Sequence, residues 1–467
     1  MQALQAGSFH DAEQVFRTIL SVDSSEIHSL HFLGVILCQN GDIANGINFI
    51  ETSISIDPSR FGPFYNLGRF LFSSKQYSRA ISSLQEAVRR DEKSFDAWNL
   101  LAQAQFQAED FKGAIDSSRH ACAIAPENSE AFFNLGVLLT AHEDPDSAIS
   151  VFQRAVVLKS DYFEAWVNLG NLFRQKDRID DSIAAFQNAL VANGECVQAL
   201  VGIAKSLGEK GLWEESLSAS RRALFADENS LDAALIIGFS LHNLNRTKEA
   251  VEAYQSALLL NADSVQAHLY LAAALEELGL LEDAKIHCEQ VIAIDPSLAR
   301  PYDCLATYAH KLGDLKYAEI MYRKAIQLNP FSVDLYLNYG NLLKEQGEME
   351  KAIGSYRKAI ELRPGFAELY FNLGNLLKGE GHAKEAIGIY LKALELKPDF
   401  AQAYLNLGIL LKECGEITNA IINFREAIGA KPDFAGAYFN LGIVLKEEGQ
   451  IEEAIVNYRK AIEADPG

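Results

Sequence analysis

Gly365-Phe-Ala-Glu-Leu-Tyr-Phe-Asn-Leu-Gly374 is followed by Asp399-Phe-Ala-Gln-Ala-Tyr-Leu-Asn-Leu-Gly408 and then by Asp433-Phe-Ala-Gly-Ala-Tyr-Phe-Asn-Leu-Gly442. The closing glycines stand 34 residues apart. The same step taken backwards from Gly374 meets Gly340, Ala306, Ala272, Gly238, Ala204, Gly170, Gly136, Ala102, Gly68 and Gly34, without one insertion or deletion. A fixed period of this length marks an array of stacked supersecondary units rather than one large core.

With that Gly or Ala counted as position 8, thirteen repeats fill residues 27–467, and residues 1–26 hold a partial repeat with a turn at Gly7. Apolar or aromatic residues recur at positions 4, 7, 8 and 11, as in Tyr370, Leu373, Gly374 and Leu377. This is the i, i+3, i+4, i+7 stripe of one helix face. Gly follows at position 15 in eight repeats, where a left-handed cap can end the helix. In repeat four, Asp144-Pro145 supplies an N-cap and a first-turn proline instead. A second stripe runs through positions 20, 24 and 27, as in Ala386, Tyr390 and Ala393. Small residues at 20 and 27 let the two helices approach, and the aromatic at 24 fills the space between them. Pro at position 32, as in Pro364 and Pro398, stops the second helix.

Two helices per period, with aromatic-4, Leu-7, Gly/Ala-8, Ala-20, aromatic-24, Ala-27 and Pro-32, resemble the tetratricopeptide repeat over essentially the whole chain. The resemblance implies an all-α fold: a right-handed α-solenoid superhelix of about 13 tandem 34-residue helix-turn-helix repeats, continuous over 27–467. It also implies that the first helix of each repeat lines the inside. The last helix would leave Ile455, Tyr458 and Ile462 uncovered, so self-association through terminal helices is expected as one form of assembly.

The formal net charge of −21 argues against a broad nucleic-acid or acidic-lipid surface, which needs basic residues. No apolar run approaches a membrane span, and the first residues carry no leader-like pattern. Six cysteines at no metal-ligand spacing fit a reduced compartment, so a soluble, cytoplasmic protein is expected. His28 and His31 lie three apart with no third ligand in view, and Cys288 and Cys304 fit packing better than chemistry. No catalytic constellation, metal site or cofactor motif emerges, and the expectation is a chain that is not an enzyme.

If positions 4, 7, 8 and 11 face the second helix, positions 2, 6, 9 and 13 face away and line a groove. Position 6 is Asn66, Asn134, Asn168, Asn338, Asn372, Asn406 and Asn440, and position 9 adds Asn171, Asn341 and Asn375. An Asn amide has one acceptor and two donors, so a row of them can pair with the N–H and C=O of an extended peptide whatever its side chains. This is similar to the asparagine ladder in the tetratricopeptide superhelix of protein O-linked N-acetylglucosamine transferases, a likeness resting on the position-6 Asn alone. The alternative is that Asn-Leu-Gly was merely copied by duplication. Repeats six to nine interrupt the row, and Ile236, Phe239 and Tyr270 would form an apolar groove pocket between two clamping segments. Tighter curvature burying them is an equal alternative. Lys344, Lys378, Lys412 and Lys446 recur at position 12, at the groove edge, beside Glu345, Glu413 and Glu447. They would receive an acidic segment or, more simply, form a self-neutralised rim. A chaperone-tail carboxylate clamp is argued against, because position 5 beside the best Asn pairs is Leu337, Phe371, Leu405 and Phe439 rather than Lys.

The function so read is a non-catalytic scaffold for protein–protein interaction that binds extended peptide segments. The alternative is the substrate-recruiting arm of a larger enzyme, such as a glycosyltransferase, whose catalytic domain lies elsewhere.

Overall fold

Positions 1–13 of each repeat form one helix and positions 17–30 a second, as in Ala367–Gly379 and Ala383–Leu396. The computed structural model describes residues 9–142 and 144–465. Among them are twenty-seven helices and no strand. Phe9–Val22 comes first, then thirteen pairs from Ile27–Gln39 with Ile43–Ile56 to Ala435–Glu447 with Ile451–Ala464. The all-α tandem-repeat fold expected from the period is therefore observed. Phe9–Val22 stands where the partial repeat needs its second helix, whereas the turn expected at Gly7 lies outside the described residues.

One backbone conformation makes the turn inside each repeat. In repeat ten the Gly347 N–H donates to the Lys344 carbonyl at 3.1 Å, and the Glu348 N–H donates to the Leu343 carbonyl at 2.9 Å. These are the paired bonds of a Schellman cap, which needs a left-handed residue at its centre. Gly347 has φ +80°. Lys75, Glu109, Asp177 and Asn245 occupy the same position in other repeats and adopt φ between 57° and 62°. The next residue opens the second helix. Asp42, Asp110, Asp144 and Asp314 there accept a hydrogen bond from the backbone N–H three residues on, satisfying one of the unpaired donors of the first turn.

Inside the helix pair, positions 8 and 24 share one volume. A Cβ built on Gly136 would lie 2.6 Å from the Phe152 ring, one on Gly170 2.6 Å from Phe186, and one on Gly408 2.7 Å from Phe424. Real Cβ contacts do not come so close, so in these repeats the ring leaves room for nothing larger than glycine. Where position 24 is small, as in Ser118, Ser220 and Cys288, position 8 carries Ala102, Ala204 and Ala272. Repeat nine departs from this, with Ala306 above Tyr322, both buried. The alternation of Gly and Ala along the register is therefore mostly a response to the partner's bulk.

The chain divides into two compact units between Leu244 and Asn245. In the N-terminal unit the core runs through Leu71, Leu84, Leu139, Phe152, Leu169 and Phe186, all buried. In the C-terminal unit it runs through Tyr322, Leu343, Tyr356, Leu377, Tyr390 and Phe424. Within each unit, a first helix packs on the second helix of its own repeat, and that second helix packs on the next first helix. Successive first helices also touch, as Phe163–Gln175 does Val197–Glu209 in the N-terminal unit and Ala401–Glu413 does Ala435–Glu447 in the C-terminal unit. Successive second helices show no contact of that extent. The first helices are the more closely gathered face of each unit, which is where the candidate site lies.

Candidate functional site

The position-6 asparagines project from this face and are half-buried in the seams between neighbouring first helices. Several bond across the seam. In the N-terminal unit the Asn66 amide nitrogen lies 2.9 Å from His31 Nε2, and Asn134 Nδ2 donates to Asn99 Oδ1 at 3.3 Å. In the C-terminal unit Asn406 Nδ2 donates to Asn375 Oδ1 at 2.7 Å and Asn406 Oδ1 accepts from Gln402 at 3.3 Å. Asn168 and Asn440 instead donate at 2.8 Å to carbonyls of their own helices, those of Glu164 and Gly436. An Asn amide has two N–H donors, so Asn66, Asn134, Asn168 and Asn440 each carry a second N–H beyond the bond named, whereas Asn406 also bonds the Tyr390 hydroxyl. Asn338 and Asn372 are half-buried on the same face.

Position 9 follows a different rule. Tyr356 and Tyr390 donate their hydroxyls to Asn341 Oδ1 at 2.6 Å and Asn375 Oδ1 at 2.7 Å, and Tyr322 lies 3.2 Å from the Thr307 hydroxyl. A polar position 9 thus satisfies the hydroxyl of its own repeat's tyrosine knob. Phe152 and Phe424 have no hydroxyl, and above them position 9 is Val137 and Ile409. Asn171 departs from this: its knob is Phe186, and the amide is exposed.

Of the three apolar groove candidates, Ile236 and Phe239 belong to the N-terminal unit and Tyr270 to the C-terminal unit. In the N-terminal unit Ile236 is half-buried against the core clusters that contain Ala199 and Ala233, and Phe239, 41% exposed, meets Trp213 edge-on at 5.6 Å. In the C-terminal unit Tyr270 tilts over Tyr254 at 5.6 Å.

Of the lysine row, Lys344 and Lys446 are exposed and Lys378 half-buried. Lys412 pairs with Glu447 at 2.9 Å, from position 12 of one repeat to position 13 of the next. The same spacing joins Arg174 to Glu209 at 2.8 Å, His310 to Glu345 at 2.8 Å and, with the charges reversed, Glu276 to Lys311 at 2.7 Å. Exposed pairs of this kind stabilise little individually. Their effect is to neutralise the rim locally.

Sequence reasoning missed the position-5 partners. His31, Asn99 and Asp303 are polar where other repeats are mostly apolar, and each is followed 35 residues later by the position-6 Asn66, Asn134 or Asn338. Burial, and then the nearby Arg60 guanidinium and the His28 side chain, push the His31 imidazole down to about 4. Burial and then the Asp334 carboxylate push the Asp303 carboxyl up, against the opposing pull of Arg300 and Asn338. One Asp303 oxygen is buried without a hydrogen-bond partner. His28, by contrast, is exposed and lies 3.2 Å from the Arg60 guanidinium, so the two histidines do not converge on one point. No group of three His, Cys, Asp or Glu able to hold a metal occurs among the described residues. No helix among them is long and apolar enough to cross a membrane.

These repeats match family models. Tetratricopeptide-repeat models cover residues 65–129, 118–163, 167–231 and 240–299, 300–332 and 367–400, 321–354 and 389–422, and 435–467. A TPR repeat model covers 340–381. Together they span well over half the sequence, and the chain belongs to the tetratricopeptide-repeat family. No curated protein matches it in sequence. Among solved structures it is similar to MamA, at 23% identity over 35% of this chain and 95% of that one, with a TM-score of 0.34. It is similar also to YrrB, described as a TPR protein with an unusual peptide-binding site, at 22% identity over 39% and 95%, with a TM-score of 0.36. A chain of the APC/C hetero-tetramer Cut9–Hcn1 aligns at 16% identity over 95% and 94%, with a TM-score of 0.40. At these identities the likeness concerns the fold alone.

Proposed function

We propose that this protein is an interaction scaffold whose first-helix face binds extended segments of partner proteins. The observation that carries this reading is the row of position-6 amides. They recur on the gathered face of each unit, with Asn66, Asn134 and Asn168 in one and Asn338, Asn372, Asn406 and Asn440 in the other. An amide at a helix surface position adds little to helix formation. In Asn66, Asn134, Asn168 and Asn440 it carries a second N–H for a ligand beyond its internal bond. A peptide backbone laid across such a row would be held through its own N–H and C=O groups, with affinity largely independent of its side chains. The exposed Lys344 and Lys446 favour acidic residues at the rim in the C-terminal unit.

The test is a naive phage-displayed library of linear peptides panned on the protein and on its Asn338/Asn372/Asn406/Asn440→Ala variant. Peptides that bind the C-terminal unit of the wild type should lose about tenfold or more in affinity on the variant, roughly 1.4 kcal/mol or more. Unchanged affinity in a variant with unchanged helicity would remove the ladder reading.

A further inference from the structure

Repeat three, like repeats six and eight, lacks the large knob that the remaining repeats insert between their helices. Position 24 is Phe152 in repeat four and Leu84 in repeat two, but Ser118 in repeat three, and position 8 opposite it is Ala102. Serine and alanine together cannot fill the volume taken by a Gly–Phe pair. The structure shows where the missing volume goes: a cavity of about 250 Å³ opens on the first-helix face of the N-terminal unit, with Ser118 and Ala102 among the residues lining it. Ser118 is 2% exposed and Ala102 3%, so both sit at its depth.

The walls are apolar. Phe72, Phe106, Phe133 and Val137 surround the opening, each contributed by a first helix. The three rings are braced from behind: Phe72 tilts against Tyr77 at 5.8 Å, Phe106 meets Phe111 edge-on at 5.7 Å, and Phe133 stacks on Tyr162 at 4.9 Å. Rings held this way keep a pocket open rather than collapsing into it. None of the described residues lining the cavity is charged, although the chain as a whole carries −21. A charged group entering it would lose its hydration with no counter-charge to replace it.

At the edge of the cavity lie Asn99 and Asn134, joined by the 3.3 Å bond across the seam between repeats three and four. Asn134 is one of the position-6 amides, so the cavity opens directly onto the proposed ladder. After their mutual bond the pair retains the Asn134 carbonyl oxygen and further N–H donors.

We propose that this cavity is an anchor site for one uncharged, apolar side chain, aromatic or large aliphatic, of an extended peptide whose backbone lies on Asn99 and Asn134. The proposal rests on the groove-binding reading above and gives it a side-chain preference in the N-terminal unit. The volume supports a single side chain, since pockets that enclose a whole drug-sized ligand occupy roughly 300–1,000 Å³. The incoming side chain takes the place that Phe152 and Phe186 fill in their own repeats. Burying one such side chain corresponds to roughly 10- to 100-fold in affinity.

The experiment pans the same naive linear-peptide library on the wild-type chain and measures the recovered peptides on two variants. Ala102→Gly/Ser118→Phe rebuilds the glycine–phenylalanine pair of repeat four and fills the cavity from within. Val137→Asp places a charge at the mouth on an exposed residue and does not depend on repacking. The expected result is a set of peptides sharing one apolar position, whose affinity falls at least tenfold in both variants while helicity is unchanged. Peptides that bind both variants as tightly as the wild type would overturn the anchor site and leave the groove reading standing. Failure of the wild type to select any peptide would overturn the groove reading, and the anchor site with it.

Discussion

Gly374 and Tyr390 lie so close that a Cβ on the glycine would sit 2.8 Å from the tyrosine ring. The ring is completely buried, and its hydroxyl donates to Asn375 at 2.7 Å. One side chain therefore fills the helix pair and positions an amide on the first-helix face.

Gly374→Ala should destabilise the C-terminal unit by about 1–3 kcal/mol, the usual range for overpacking. In a double-mutant cycle with Tyr390→Ser, which reproduces the small partner found beneath Ala102 and Ala204, the alanine should cost far less. The coupling is expected at about 1–3 kcal/mol, measured by urea unfolding followed by circular dichroism. Strict additivity would show that the two positions do not share a volume.

Lys75, Glu109 and Asp177 hold a left-handed conformation at φ 59°, 62° and 58°. A side chain there costs roughly 1–2 kcal/mol, and glycine returns part of that through the freer unfolded chain. Each replacement by Gly should therefore stabilise by about 0.5–1 kcal/mol, and the three should be close to additive. The reverse change, Gly381→Ala at φ +77°, should destabilise. Thermal melting of the single and triple variants checks both directions.

His31 is held neutral in the fold, near 4 instead of 6.5, and its ring nitrogen meets the Asn66 amide. Because the folded value is the lower one, its contribution is complete above pH 6.5 and is lost as pH falls towards about 4. Stability of the first repeats should drop across that window by on the order of 3 kcal/mol. His31→Asn copies the Asn99–Asn134 pairing of repeat three, so it should flatten the slope while preserving the seam. Amide hydrogen exchange of Ile27–Gln39 at pH 7 and pH 5 supplies the readout.

The helices were legible because each is specified twice, by its apolar stripe and by the turn that ends it. Gly347 and its counterparts at position 15 marked the left-handed cap directly. Lys75 and Glu109 did not, since nothing in those side chains favours positive φ; only the register reveals it. The position-6 asparagines were legible as outward-facing polar residues, but their seam partners were not. The bond from Asn134 to Asn99 joins residues 35 apart in sequence, and a helical wheel treats each helix alone. The same limit concealed the role of Asn341 and Asn375, whose outward position says nothing of the tyrosine hydroxyls beneath them. The cavity at Ser118 was not legible, because a small residue at position 24 also occurs at Ser220 and Cys288. Its significance depends on Phe72, Phe106 and Phe133, three separate helices brought around it by stacking.

The shared volume of positions 8 and 24 bears on how such a chain can be reshuffled. A crossover between repeats that falls within a hairpin can join a glycine helix to a serine helix, leaving a void, or an alanine helix to a phenylalanine helix such as that of Phe152, producing a clash. A crossover at the proline-marked junction carries both partners together. Whole hairpins are thus the heritable cassettes of this array, and Ala102 with Ser118 would have to travel as one allele.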